Sequence, residues 1–149
     1  VTQSYAVCSV SGTANVGGLI GCNFGHVTQC YGRGTVNGSD RVGGLVGTNE
    51  GIIAASFSAA IVDGTCDVGG LVGDHSWRAT VAASLWDTQA SGRGWSAGGA
   101  GKTTAEMQTS GTFLDAGWDF MAETANGAED IWWIDEGKDY PRLWWELDN

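Results

Sequence analysis

The 149 residues suffice for one domain, or for a repeat array with a terminal segment, and 42% apolar content is enough for a core, which sets aside a disordered tail. Seventeen acids against seven bases, a net charge of −10, argue against nucleic acid and anionic membrane surfaces, whose binding relies on clustered Lys and Arg. Twenty-five glycines against one proline, without a collagen period, call for a fold that repeatedly needs tight backbone bends.

The chain opens on Val1-Thr2-Gln3-Ser4, which has neither an initiator Met nor the regions of a signal peptide, so a mature or excised chain is expected. No apolar stretch is long enough to span a bilayer, and no membrane insertion is expected. The opening strand pattern Val1-Thr2-Gln3-Ser4-Tyr5-Ala6 returns as Val27-Thr28-Gln29-Cys30-Tyr31-Gly32, as Ile53-Ala54-Ala55-Ser56-Phe57-Ser58 and as Val81-Ala82-Ala83-Ser84-Leu85-Trp86. Next comes Val16-Gly17-Gly18-Leu19-Ile20-Gly21, repeated from Val42 to Gly47 and from Val68 to Gly73. The period is 26 residues, stretching to 28 before Val81. Val10, Val36 and Val62, with Gly12, Gly38 and Gly64, keep the same step, so whole units repeat.

Each unit is too short to bury its own apolar face, and it carries β-branched and aromatic runs separated by turn residues. Stacking solves this: the prediction is an all-β β-solenoid over residues 1–90, with like residues in columns about 4.8 Å apart. Leu19, Leu45 and Leu71 should form one interior column and Val16, Val42 and Val68 another, with Tyr5, Tyr31, Phe57 and Leu85 in a third. Asn23 and Asn49 form a column that His75 breaks, where two extra residues make the loop Asp74-His75-Ser76-Trp77-Arg78. Insertions in solenoids map to loops on one face, often the binding face, so His75, Trp77 and Arg78 are candidate ligand or partner residues. Cys8, Cys22, Cys30 and Cys66 lack CxxC spacing and a zinc site is not expected; two disulfides or small free thiols fit equally.

These repeats resemble the GLUG-motif family, whose units read approximately as Val-Gly-Gly-Leu-Val-Gly, then Asn and Gly, then a Ser-Tyr-Ala-like strand. The resemblance covers about residues 1–90: VGGLIG at 16, VGGLVG at 42 and 68, Asn23-Phe24-Gly25, Asn49-Glu50-Gly51 and the four strands. It implies a large secreted or surface-anchored microbial protein of adhesin-like type, and no catalytic site within the repeats. The segment from Leu85 through Gly101-Lys102-Thr103-Thr104 to Tyr140-Pro141-Arg142-Leu143 looks like the tails that follow such repeats.

Residues 91–149 are expected to form an aromatic-rich C-terminal cap with a short helix. Gly98-Gly99-Ala100-Gly101-Lys102-Thr103 suggests a phosphate loop, but Ser96 stands where its first glycine belongs and no βαβ pattern surrounds it. Thr103 and Glu106 instead form a capping box that predicts a helix over about Thr104 to Ser110. Ile131-Trp132-Trp133-Ile134 reads as a strand, Asp135 to Lys138 as a turn, and Leu143-Trp144-Trp145-Glu146-Leu147 as a final strand. Five of the eight tryptophans lie after residue 101, which fits covering an open solenoid end. Adjacent strand residues point to opposite faces, so some of Trp132, Trp133, Trp144 and Trp145 are candidates for a sugar-stacking or partner surface.

Glu129-Asp130, Asp135-Glu136 and Asp139 could be read as calcium ligands or a hydrolytic carboxylate pair, but no ordered DxDxDG spacing is present, and the acids read as a solvated face. Only His26 and His75 are available as bases and no GxSxG occurs, so no catalytic residue and no cofactor is expected. The function expected is a non-enzymatic structural or adhesive module of an extracellular, cell-surface or filament-forming protein. Its first coil would pair with neighbouring repeats or with another copy. The alternatives are a carbohydrate-binding module, or an accessory domain of a secreted polysaccharide-degrading or proteolytic enzyme.

Overall fold

The computed structural model describes residues 1–148. Like residues do stack: four strands per coil, each paired in parallel with its counterpart one period on. The first coil contains β1 (Tyr5–Ser11), β2 (Ala14–Gly17), β3 (Ile20–Asn23) and β4 (His26–Thr28). The second contains β5 (Tyr31–Asn37), β6 (Asp40–Gly43), β7 (Val46–Asn49) and β8 (Ile52–Ala54). The third contains β9 (Phe57–Asp63), β10 (Cys66–Gly69), β11 (Val72–His75) and β12 (Thr80–Ala82). Tyr5 pairs with Tyr31 and Tyr31 with Phe57, while Val16 pairs with Val42 and Val42 with Val68. The Leu19 N–H donates to Leu45 O and the Leu45 N–H to Leu71 O, both at 3.0 Å, so the leucines form one column.

Glycine pairs serve close approach rather than unusual dihedrals. A Cβ on Gly17, Gly43 or Gly69 would lie 2.0, 1.9 and 1.9 Å from a carbonyl oxygen three residues on, where the chain turns between strands. Left-handed backbone falls instead on two columns of non-glycine residues, Gln3, Gln29, Ala55 and Ala83 at the corner before the longest strand, with φ of 45°, 55°, 45° and 48°, and Asn15, Arg41 and Asp67 in β2, β6 and β10, with φ of 53°, 53° and 48°. Recurrence of this strained conformation in register indicates that the stack imposes it.

The interior is aliphatic: Val27, Leu45, Val46, Ile53, Leu71 and Val72 pack together, beside a second cluster of Val16, Val36, Val42, Ala60 and Val62. Hydroxyls run through it as a ladder in which the N–H of Cys30 donates to Ser56 Oγ and that of Ser56 to Ser84 Oγ. Cys30 therefore sits in a serine column as a buried free thiol, while Cys8, Cys22 and Cys66 are exposed and free.

Stacking continues past residue 90. β13 (Leu85–Asp87) and β14 (Ala100–Lys102) extend the longest sheet to β1-β5-β9-β13-β14, so the glycine-rich run is a sheet strand rather than an anion loop. Trp86 falls in the inward column of Ala6, Gly32 and Ser58, and its indole fills the end of the interior, with its N–H donated to Arg93 O at 2.9 Å. Residues 95–97 lie over the third coil, where the Gly70 N–H donates to Trp95 O and the Val72 N–H to Ser96 Oγ. The short helix α1 (Thr88–Ser91) connects these parts, capped by Asp87 and ended by Gly92 at φ 67°.

The late tryptophans, expected to cover that end, lie elsewhere. The tail folds back along the outer face of the longest sheet, where Tyr31, Phe57 and Leu85 meet Met107, Phe113, Trp118, Phe120, Ile131, Trp132 and Leu143. The reason is alternation: Phe57 points outward while Ser58 points inward, so the aromatic column is an external apolar stripe that needs its own cover. The capping box of Thr103 and Glu106 forms as expected but starts only the short helix α2 (Thr104–Met107), and a separate helix α3 (Ser110–Asp115) follows after Thr109. β15 (Trp132–Trp133) pairs antiparallel with β16 (Arg142–Leu143). The final strand stops at Leu143, where Trp144–Asp148 turns into a 3-10 helix with Glu146 accepting the Leu143 N–H. Among the described residues no helix is long and apolar enough to cross a membrane.

Candidate functional site

The outward face of the longest sheet is covered only over its first part. Beyond the aromatic column, β1, β5 and β9 present outward rows of Val7-Arg33-Ala59 and Ser9-Thr35-Ile61, in register across three coils. Val7 is 59% and Ile61 57% exposed, a large apolar exposure for β-branched strand residues. The tail forms a wall beside them through Tyr140, Arg142 and Glu146. Between wall and floor lies a cavity of about 530 Å³.

Two guanidiniums meet one carboxylate in this groove. Arg33 Nη1 is 3.3 Å from Asp139 Oδ1, and Arg142 Nε is 3.1 Å from Asp139 Oδ2. The Arg33 guanidinium lies 4.9 Å from the centre of the Tyr140 ring. Partial burial would raise the Asp139 pKa, but Arg142, the Tyr140 N–H and Arg33 together hold it below the usual carboxylate value. The pairing in turn lifts Arg142 further above its ordinary range.

Two tyrosine hydroxyls fasten the tail to the stack. Tyr31 donates to Glu146 at 2.9 Å, and Tyr140 donates to the fully buried Asp87 at 2.6 Å. Burial, then the carboxylate partner, raises both phenols, Tyr140 to about 12.

The residues expected at a ligand surface are not brought together. His75 ends the Asn23-Asn49 ladder: Asn23 Nδ2 donates to Asn49 Oδ1 at 2.8 Å, and Asn49 Nδ2 lies 3.5 Å from His75 Nδ1. Trp77 is 84% exposed on the inserted loop, with Arg78 stacked 4.5 Å from its ring centre. Trp132 is a correction: it is buried, its ring centre 4.6 Å from that of Trp118, and it offers no face to a ligand. Trp133 is half-buried beneath Arg142. Trp144 is exposed, its indole N–H donated to Gln3 at 3.3 Å, and Trp145 stacks on Tyr5 at 5.5 Å. These two tryptophans therefore lie at the first coil, far along the stack from where a C-terminal cap would put them.

Three of the candidate acids are engaged locally. Asp135 pairs with Lys138, Glu136 accepts the Ser110 N–H, and Asp139 serves the two arginines. Among the described residues no group of three or more His, Cys, Asp or Glu could hold a metal ion. Sequence reasoning missed Arg33, Tyr140 and Arg142 as a group. The one local signal for Arg33 is its place two residues from Tyr31, which puts both on the same face of a strand. No family model, curated protein or solved structure matches this chain.

Proposed function

We propose that this chain is a non-enzymatic structural and adhesive module of a secreted or cell-surface microbial protein of the GLUG-motif kind, its coils forming a rigid rod. The supporting observation is the difference between the two ends of the stack. At the third coil, Leu71 and Val72 are fully buried beneath Trp86 and residues 95–97. At the first coil, their column-mates Leu19 and Ile20 stay half-exposed, as does Val10, and Val1 and Phe24 are exposed. At the third coil, residues 95–97 cover β11 and β14 extends the longest sheet, while β10 and β12 stay outermost; at the first coil, β1, β2 and β3 are all outermost strands, a template for strand pairing that supports docking of another coil there. The occupant is a coil of the same kind, from neighbouring repeats or another copy.

The test is a chain carrying a duplicate of residues 27–52 ahead of Val1, followed by hydrogen exchange and denaturant unfolding. Amides of the duplicate should become protected and the unfolding midpoint should rise, because each added coil buries one more interface. A duplicate that stays unprotected while the rest remains folded overturns the reading.

A further inference from the structure

We infer that the lateral groove between β1, β5, β9 and the tail is a binding site for a neutral oligosaccharide. The inference does not depend on whether a further coil docks at the first strand.

The groove is charge-balanced: Arg33 and Arg142 face Asp139 and Glu146. An anionic chain would have to approach Glu146 within a protein of net charge −10, and a cationic one would meet two guanidiniums. A neutral ligand avoids both penalties.

Hydrogen-bonding capacity is left over. Asp139 engages Nη1 of Arg33 and Nε and Nη2 of Arg142, and the remaining guanidinium N–H groups have no protein acceptor among the described residues. Each guanidinium carries five N–H donors in a planar fork, suited to a pair of neighbouring oxygens. The carboxylates of Asp139 and Glu146 add acceptors on the same wall. A polyol presents donors and acceptors at every hydroxyl and can use both kinds.

The floor is apolar and open. Val7 and Ile61 expose their branched side chains, and between them Gly34 has a φ of 106° and a backbone where a Cβ would come 2.1 Å from Cys8 O. A bare strip flanked by aliphatic side chains fits the C–H face of a sugar ring while the ring's hydroxyls turn to the arginine wall. Successive coils repeat every 4.8 Å or so, so a chain ligand crossing the strands meets Val7, Arg33 and Ala59 in turn. The volume of about 530 Å³ lies within the range of small-ligand sites.

The test is titration of isotope-labelled protein with short cello-, xylo-, manno-, malto- and N-acetylchito-oligosaccharides, with oligogalacturonate as the acidic comparison. At least one neutral oligosaccharide should shift the amides of Val7, Gly34, Ile61 and Tyr140. Arg33→Gln should weaken that binding about tenfold or more, the scale of one lost charged hydrogen bond. Ile61→Glu, on an exposed strand position away from the tail, should do the same with the unfolding midpoint unchanged, which separates loss of binding from loss of fold. The inference is overturned if no neutral probe shifts the groove at millimolar concentration, if only oligogalacturonate does, or if the shifts fall at Trp77 or Trp144 instead.

Discussion

The stack and the tail are held by the same kinds of contact arranged in opposite ways. In the stack, a residue's partner is its own counterpart one period on: Tyr5 on Tyr31 at 4.9 Å, Tyr31 on Phe57 at 5.0 Å, Asn23 on Asn49. In the tail, partners are unlike and distant: Tyr140 on Asp87, Glu146 on Tyr31, Trp118 donating its indole N–H to Ala83 O. A ladder repeats one solution, so losing one rung leaves the rest in register, whereas the tail is fixed by a few contacts that occur once.

Phe57 belongs to both regions and gives the largest expected effect. It stacks on Tyr31 within the column and touches Phe113, Trp118, Trp132 and Tyr140 of the tail. Phe57→Ala should cost about 3–5 kcal/mol in denaturant unfolding. Near-UV dichroism from the tail tryptophans should collapse at lower denaturant than the far-UV strand signal, because the tail loses its central contact while the ladders persist. Coincident loss of both signals would mean that the two regions are one cooperative unit.

Leu45→Ala probes the interior alone. Leu45 is fully buried in the middle rung of its column and cannot be replaced from solvent, so the expected cost is about 2–5 kcal/mol. Here strand and tail signals should fall together, because the tail rests on the sheet that this column supports. A surviving near-UV signal at denaturant concentrations that abolish the strands would break the comparison.

The tyrosine links give a smaller effect with a defined pH dependence. Tyr140→Phe leaves the buried Asp87 carboxylate without its hydroxyl donor, at a cost of about 1–3 kcal/mol. In the folded chain Tyr140 is raised from 10.0 to about 12, so it holds its proton more tightly folded than unfolded. Its contribution is therefore complete below about pH 10 and is lost as pH rises through about 12. Tyr31 shifts in the same direction. Unfolding midpoints followed across this range should fall for the wild type and fall less steeply for Tyr140→Phe. Equal slopes would show that the alkaline loss comes from elsewhere.

This contrast also explains what was legible in the sequence. A column is a residue compared with itself at a fixed step, so Leu19, Leu45 and Leu71, or Tyr5, Tyr31 and Phe57, are visible without any knowledge of packing. Trp86 was equally legible in principle, standing where Ala6, Gly32 and Ser58 stand, and a Trp at the end of a column of small residues marks a plug. The signals for α1 were present in Asp87 and Gly92, but the run after them reads as loop until β13 supplies β14 with a partner. The tail was legible only locally, as in the capping box of Thr103 and Glu106. Where it lies depends on Phe57 pointing outward, and that follows from strand pleat, not from the period. The groove is less legible still, because Arg33, Tyr140 and Arg142 meet only once the tail has folded back.

The smallest expected effect tests the ladder at its imperfect rung. Asn23 and Asn49 each accept an N–H two residues on, from Gly25 and Gly51, and each donates to carbonyls of its own turn and of the next coil. Asn23 reaches the next amide at 2.8 Å, but Asn49 reaches only the His75 ring at 3.5 Å, the outer limit of a hydrogen bond. His75→Asn would offer a carbonyl oxygen in place of the ring nitrogen and should stabilise the chain by about 0.5–1.5 kcal/mol. His75→Ala should cost less than that, because Asn49 Nδ2 keeps Gly51 O and Thr80 O, both at 3.3 Å. Denaturant unfolding of both variants orders them as Asn above wild type and Ala just below. If His75→Asn is instead the less stable, the imidazole holds the two-residue insertion at Ser76–Ala79 in place, and the column ends there because the loop requires it.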